Sequence, residues 1–184
     1  PDVALYTALH YAHGPDWERA VPDLERIVAD MPERLPAVEG LARVRERQGR
    51  IDDAIRLRQQ VYRLREPTPA ELVQLGSLAM QAQQTPLAIA SFEQARQAQG
   101  RAFTHDLELG ALYLAARRFP EARDALDRVP GTHPDHPMVL FKRAQVSVLL
   151  HEPDAAARID LARRRADATT RPLIASEKLF QSIR

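Results

Sequence analysis

The amino-acid sequence predicts an all-α fold built from five consecutive helical hairpins. An alanine recurs at a period of 34 residues, at Ala20, Ala54, Ala88, Ala122 and Ala156. Twelve positions earlier in each unit lies a second column of small residues, which would let one helix pack closely against the next: Ala8, Ala42, Gly76, Gly110 and Ala144. Because an isolated helix pair cannot bury its apolar face whereas a stack of pairs can, this regular period favours a repeat protein.

The hairpins follow one another without insertions, in units of residues 1–34, 35–68, 69–102, 103–136 and 137–170. The stretch "LGALYLAARRFPEARDAL" in unit 4 shows the pattern most clearly, with helical apolar spacing on each side of a short break. Prolines are predicted at the first position of the second helix, where a missing N–H costs nothing, in units 3, 4 and 5: Pro86, Pro120 and Pro153.

The last fourteen residues, 171–184, are predicted to form a helix that covers the open end of the stack. Pro172 suits the first turn of such a helix. Its apolar residues share one helical face: Leu173, Ile174, Leu179, Phe180 and Ile183.

Composition excludes several classes of function. The 26 basic residues are balanced by 25 acidic ones, so no basic excess predicts a nucleic-acid partner. No apolar stretch reaches the roughly 18 residues of a membrane span, so no membrane insertion is expected. The absence of cysteine leaves the compartment open between cytoplasm and periplasm. The chain begins at Pro1, and we expect it to be part of a longer protein.

Unit 4 carries the residues by which the chain resembles the tetratricopeptide repeat (TPR) family: Leu109, Gly110, Tyr113, Ala122 and Pro134. The resemblance covers essentially the whole chain and implies one domain, 1–184, folded as a right-handed superhelical solenoid of antiparallel helix pairs. Unit 2 departs from the family pattern at Arg45 and Arg58, and unit 5 at Arg143 and Asp160. In unit 5 the pattern recovers if the second helix shifts by one residue, to Ala155, Ile159 and Ala162, which indicates a one-residue deletion in the turn.

The resemblance implies that the first helix of each pair lines a concave groove that holds another polypeptide. Projection of the family's groove positions selects an apolar region in units 3 to 5, which suits an amphipathic helix or an extended apolar segment, and arginines in unit 2 that could pair with an acidic end of the ligand. The selected residues are Arg43, Arg47, Val73, Ser77, Met80, Leu107, Ala111, Leu114, Phe141 and Gln145. The alternative is that several of these side chains belong to the core or are covered by the last helix.

No catalytic, cofactor or metal site is predicted. The motif with His133, Asp135 and His136 falls in the turn between two units, where polar residues are expected, and no further ligand lies at a supporting spacing. Ser77 lacks the glycine pattern and the strand–turn–helix setting of a nucleophile elbow. The chain has no asparagine and only two lysines, so the carboxylate clamp of chaperone-binding TPR proteins is not expected.

Two functions therefore remain open. The chain is a protein-interaction scaffold or adaptor, or it is the non-catalytic TPR region of a larger bacterial enzyme or export protein, such as a repeat-bearing sulfotransferase or a polysaccharide-secretion component. Both imply binding of a protein or peptide, and any catalysis would lie outside these residues. Self-association is a third expectation, because incompletely capped ends of a solenoid can stack.

Overall fold

A computed structural model describes residues 2–129 and 136–181 of the chain, and within these residues the regular elements are all helical. The predicted turn residues His133, Pro134 and Asp135 lie outside the described part. The helices are α1 (Asp2–His13), α2 (Val21–Asp30), α3 (Leu35–Arg47), α4 (Ile51–Leu64), α5 (Pro69–Gln81), α6 (Thr85–Gln99), α7 (Asp106–Ala115), α8 (Phe119–Arg128), α9 (Pro137–Leu149), α10 (Ala155–Arg165) and α11 (Thr170–Ser176). Short 3₁₀ turns precede α2, follow α6 and follow α11: Trp17–Ala20, Gly100–Ala102 and Lys178–Gln181.

These helices form the predicted hairpins, in which a second helix packs against the first. The contacts divide the chain into two compact units, Pro1–Ala95 and Arg96–Arg184. The first unit contains α1 to α5 and most of α6, and the second contains the remaining helices. In each unit a first helix also contacts the first helix of a neighbouring hairpin, as α1 contacts α3 and α7 contacts α9.

The two small-residue columns form the helix contacts that the period predicts. The recurrent alanines at 20, 54, 88 and 122 are fully buried. A Cβ atom built on Gly110 would lie 2.7 Å from Leu126 Cγ, and one on Gly76 would lie 3.0 Å from the Phe92 ring. Only glycine lets the second helix approach this closely, which explains why these two units use it in the column.

The second helix of the fifth hairpin has the predicted one-residue shift. The buried residues of α10 are Ala155, Ile159 and Ala162, whereas Ala156 and Asp160, at the fixed 34-residue spacing, are exposed. Pro153 consequently does not begin the second helix as expected. Pro153 lies in the turn, and α10 starts two residues later. The Ala155 N–H donates a hydrogen bond to the Glu152 carbonyl oxygen at this point.

The fourth hairpin begins later than the predicted boundary at residue 103. A 3₁₀ turn ends at Ala102, Phe103 is extended and 2% exposed, and α7 starts only at Asp106. Phe103 thus acts as a core residue of the connection and not as the first residue of a helix.

The C-terminal segment forms two short pieces and not the single helix that its sequence predicts. The helix α11 ends at Ser176, Glu177 is extended, and a 3₁₀ turn follows. The side chain of Glu177 accepts the N–H of Leu179 and stabilises this break. Ile174 and Phe180 are buried against α9 and α10, as expected of a cap, but Leu173 is 40% exposed.

Candidate functional site: the faces of the first helices

Each first helix presents one row of side chains at the fifth, ninth and twelfth positions of its repeat. The rows are Leu5, Leu9 and Ala12 on α1; Glu39, Arg43 and Glu46 on α3; Val73, Ser77 and Met80 on α5; Leu107, Ala111 and Leu114 on α7; Phe141, Gln145 and Val148 on α9. Residues with this spacing share one face of a helix because they lie four and three positions apart. From α1 to α9 the rows are therefore first apolar, then charged on α3, and again mainly apolar on the later first helices.

The two predicted binding arginines, Arg43 and Arg47, are tied to the end of α1. The Arg43 guanidinium contacts Nε2 of His13, whose Nδ1 lies 2.7 Å from the Leu9 carbonyl oxygen. Arg47 Nη1 donates to the Gly14 carbonyl oxygen at 2.7 Å. An acidic ligand group would therefore meet guanidinium groups that are already oriented by internal hydrogen bonds.

The carboxylates of the charged row on α3, Glu39 and Glu46, are neutralised by ion pairs within the first unit. Arg65 bridges Glu39 of α3 and Glu71 of α5, and Arg58 pairs with Glu46 at 13% and 17% side-chain exposure. Hydrogen bonds from Arg65, with smaller contributions from Thr68, lower the pKa of Glu71 to about 2. These carboxylates are occupied, so this row stabilises the packing of α3, α4 and α5 more than it offers free acidic groups. Sequence reasoning missed the network, although the Thr68 to Glu71 spacing of a capping box was a readable signal.

The row on α5 offers a mixed surface. The Ser77 hydroxyl donates to the Val73 carbonyl oxygen at 3.0 Å, so its hydrogen-bond partner lies within its own helix. Met80 is 38% exposed at the C-terminal end of the row. Val73 and Ser77 are partly exposed. The three predicted residues thus lie together on one accessible face of α5.

The row on α7 is apolar along its whole length and accessible. Leu107, Ala111 and Leu114 are each partly exposed. No hydroxyl, amide or charge interrupts the row. Its two leucines stand one above the other, separated by about 10 Å along the helix axis at 1.5 Å per residue.

The structure places Phe141 in the core and not on an accessible face. Its ring is 4% exposed and packs edge-on against Phe180, with 5.8 Å between the ring centroids. The C-terminal segment thus covers Phe141, which is the alternative that the sequence left open, and contact of this residue with a partner stays a prediction. The neighbouring Gln145 is partly exposed, and its amide donates to the Glu177 carboxylate, so it also supports the cap.

Within the described ranges, no group of three or more His, Cys, Asp or Glu side chains is arranged to hold a metal ion. Of the histidine motif, only His136 is described; it occupies the N-cap position of α9 and is exposed. None of the described helices is both long and apolar enough to cross a lipid bilayer.

The comparisons with known proteins agree with this architecture. A family model described as tetratricopeptide repeat matches residues 8–69 and 73–137, which together make up more than half of the chain. The chain therefore belongs to the tetratricopeptide repeat family, whose fold serves in general as a protein-interaction scaffold. No curated protein matches it in a sequence search.

Solved structures with the same fold share little sequence with this chain. A MamA crystal structure superimposes with a TM-score of 0.69 at 14% identity and covers 90% of this chain and 93% of that one. A second MamA structure gives 0.69 at 18% identity, with 89% and 97% covered. YrrB, described as a TPR protein with an unusual peptide-binding site, gives 0.70 at 16% identity, with 86% and 82% covered. At these identities the likeness establishes the fold alone.

Proposed function

We propose that a partner polypeptide binds the apolar row of Leu107, Ala111 and Leu114 on α7. One observation carries the proposal. On α9, the equivalent positions Phe141 and Val148 are buried by the C-terminal segment, whereas on α7 the whole row remains partly exposed. A row of apolar side chains that the fold itself does not cover is a surface suited to a ligand.

The geometry of the row favours an amphipathic helix as the ligand. Apolar residues at spacings of four and three on the partner would meet the leucines and the alanine of α7, and Ala111 leaves space for a larger side chain between the two leucines. YrrB, which has the same fold, has a peptide-binding site, and this supports a peptide as the ligand. Scaffolding through such contacts needs no catalytic group on this chain.

A second part of the proposal concerns the first unit. Val73, Ser77 and Met80 on α5 form the corresponding row there, and the flexible, exposed Met80 side chain can adapt to different apolar partners. Arg43 and Arg47 lie on the preceding first helix, α3, and add positive charge to the first unit, which suits a ligand with an acidic end.

The test compares Leu114→Glu with Ala157→Glu. Both add one negative charge to the second unit, but Ala157 lies exposed on α10, away from the proposed row. The tagged wild-type chain is used to capture a partner from the source organism, and the partner is then purified and titrated into each variant by calorimetry. A charge placed in an apolar contact should weaken binding by about tenfold or more in Leu114→Glu and leave Ala157→Glu unchanged.

Two outcomes would contradict the proposal. Equal affinity of both variants would move the binding surface away from α7. Loss of helical circular dichroism in Leu114→Glu alone would show that the side chain belongs to the core. Met80→Glu, measured in the same way, separates a role of the α5 row from that of α7.

A further inference from the structure

The first helix, α1, leaves one apolar face uncovered. Val3 and Tyr6 on this face are 81% and 72% exposed. The equivalent positions of the second hairpin, Ala37 and Gly40 on α3, are buried. They lie against the preceding hairpin, since a Cβ atom built on Gly40 would lie 2.8 Å from Leu9 Cδ2. The exposed face of α1 is therefore the face by which a repeat packs on its neighbour, and it lies uncovered in the described part of the chain.

The C-terminal segment forms an open cleft of about 320 Å³ in the second unit. Its apolar lining comes from the residue after α10, from α11 and from the last 3₁₀ turn: Ala166, Ile174, Ala175 and Phe180. Arg163 and Arg171 also line the cleft, and both are exposed. Glu177 in the lining already accepts hydrogen bonds from the Gln145 amide and the Leu179 N–H. The cleft therefore offers an apolar surface beside two positively charged groups.

Charge is distributed unevenly along the sequence, although the whole chain is nearly neutral. Residues 1–34 contain seven acidic and three basic residues, which gives a net charge of −4. Residues 137–184 contain nine basic and five acidic residues, a net charge of +4, while residues 35–136 carry only +1. The uncovered face of α1 thus belongs to an acidic hairpin and the cleft to a basic one. Opposite charges on two surfaces favour their association and determine which surface meets which.

Most of these charged side chains can reach another molecule. In the first hairpin, Glu25 pairs with Arg45 of the second hairpin. Other acidic residues of the first hairpin are exposed, and they include Asp16, Glu18, Asp30 and Glu33. The exposed basic residues near the cleft include Arg163, Arg164, Arg171 and Lys178. The internal ion pairs therefore leave the opposite net charges of the two ends accessible from solvent.

We propose that the chain binds a second copy of itself, with the uncovered face of α1 in one copy docked on the C-terminal cleft of the other. The Tyr6 ring of one copy packs beside Ile174 and Phe180 of the other, and the acidic hairpin lies against Arg163 and Arg171. Two different surfaces meet in this heterologous contact, so a dimer keeps one unoccupied surface of each kind and can add further copies. The contact does not use the apolar row of α7.

The first measurement is sedimentation equilibrium of the wild-type chain over a series of concentrations. We expect the mean mass to rise above that of one chain as the concentration increases. An increase from about 0.1 M to about 1 M NaCl shortens the screening length from about 10 Å to about 3 Å and should weaken the association by about tenfold. Association that does not depend on salt would contradict the role of the opposite charges.

Two variants each remove one of the two surfaces. Tyr6→Arg replaces the ring by a positive charge that would face the arginines of the cleft, and Arg171→Glu places a negative charge against the acidic hairpin. Each variant alone should self-associate about tenfold more weakly or not at all. A mixture of the two should associate, because each variant keeps the surface that the other lacks. Both residues are exposed, so the helical circular dichroism should match that of the wild type.

Matched controls make the same charge changes elsewhere. Gln97→Arg on α6 adds one positive charge, and Arg63→Glu on α4 reverses one, both at exposed positions outside the two surfaces. These variants should self-associate as the wild type does. Leu114→Glu should also associate normally, which distinguishes this contact from the binding of a partner on α7.

Four results would overturn the proposal. These are a wild-type chain that stays monomeric at every concentration, wild-type association of either surface variant alone, a mixture of the two variants that does not associate, and equal weakening by the control variants. Wild-type association of Arg171→Glu together with loss in Tyr6→Arg would indicate a symmetric dimer of two α1 faces. Loss of association in Leu114→Glu would place the contact between copies on α7.

Discussion

At the scale of single residues, the turns inside hairpins 2 to 5 depend on one backbone conformation. The fifteenth residue of each of these repeats has a positive φ angle: 70° at Gly49, 57° at Gln83, 59° at Arg117 and 55° at His151. The next N–H then closes the turn onto the first helix, as when the Arg118 N–H donates to the Tyr113 carbonyl oxygen at 2.8 Å. Among these four repeats, only repeat 2 has glycine at this position. The other three have residues with side chains, for which the left-handed backbone conformation costs about 1 kcal/mol each.

We expect Arg117→Gly to stabilise the chain by about 0.5–1 kcal/mol, because glycine adopts this conformation without a Cβ clash. The control is Ala116→Gly, one residue earlier at a φ of −80°. That variant should destabilise, since glycine gains nothing there and its unfolded state has more entropy. Urea unfolding of both variants measures the difference. Equal effects of the two changes would contradict this explanation of the turn.

At the scale of elements, α5 is held at its start by a capping box and an ion pair together. The Thr68 hydroxyl accepts the Glu71 N–H, the Glu71 carboxylate accepts the Thr68 N–H at 2.8 Å, and Arg65 binds the same carboxylate. This one side chain therefore links the beginning of α5 to the end of α4. It also reaches Glu39 of α3 through Arg65.

The variant Glu71→Gln should lower the free energy of unfolding by about 1 kcal/mol near neutral pH, because the amide keeps part of the capping box but loses the ion pair. The pKa of Glu71 is about 2 in the folded chain, below its ordinary value of 4.5. The ionised group thus stabilises the fold fully above about pH 4.5, and this contribution is lost as the pH falls towards 2. The difference between wild type and variant, measured by urea unfolding from pH 7 to pH 2.5, should shrink over that range. A constant difference would exclude Glu71 as its source.

At the scale of the whole molecule, stability is shared among neighbouring hairpins, as expected of a repeat array. The C-terminal segment shows this locally. Phe180 is 2% exposed and joins Phe141, Ile159 and Ile174 in one apolar cluster of the second unit. The segment thereby covers the end of α9 and α10 in place of a further hairpin.

Replacement of Phe180 by alanine should destabilise the second unit by about 3 kcal/mol, the usual cost of emptying a buried phenylalanine site. Hydrogen exchange should show lost protection in α9 and α10 but unchanged protection in α3 and α4. Leu173→Ala serves as the control, because Leu173 lies in the same segment and is 40% exposed. Uniform loss of protection over the whole chain would show that it unfolds as a single cooperative unit.

The helical hairpins and most of the core could be predicted because both follow from a residue-level pattern with a fixed period. Ala122 and Gly110 are buried where the column predicts, and the shift to Ile159 was visible in the apolar spacing. The burial of Phe141 was one of two alternatives at the level of sequence, and the sequence could not choose between them because the outcome depends on where a distant segment folds back. The ion pairs of Asp106 with Arg96 and Arg128 were missed for the same reason, because the three residues are brought together from three helices.

The missing residue in the fifth hairpin also makes its second helix non-interchangeable with the others. From the left-handed residue to the first buried alanine there are five steps in the fourth hairpin, Arg117 to Ala122, but only four in the fifth, His151 to Ala155. One residue turns an α-helix by about 100°, so a chimera that joins α10 to the turn of another hairpin at the 34-residue alignment, with the junction after Ala155, would aim Asp160 into the core. Exchange of α10 alone therefore has to correct the register by one residue, whereas exchange of the whole fifth hairpin keeps its own spacing.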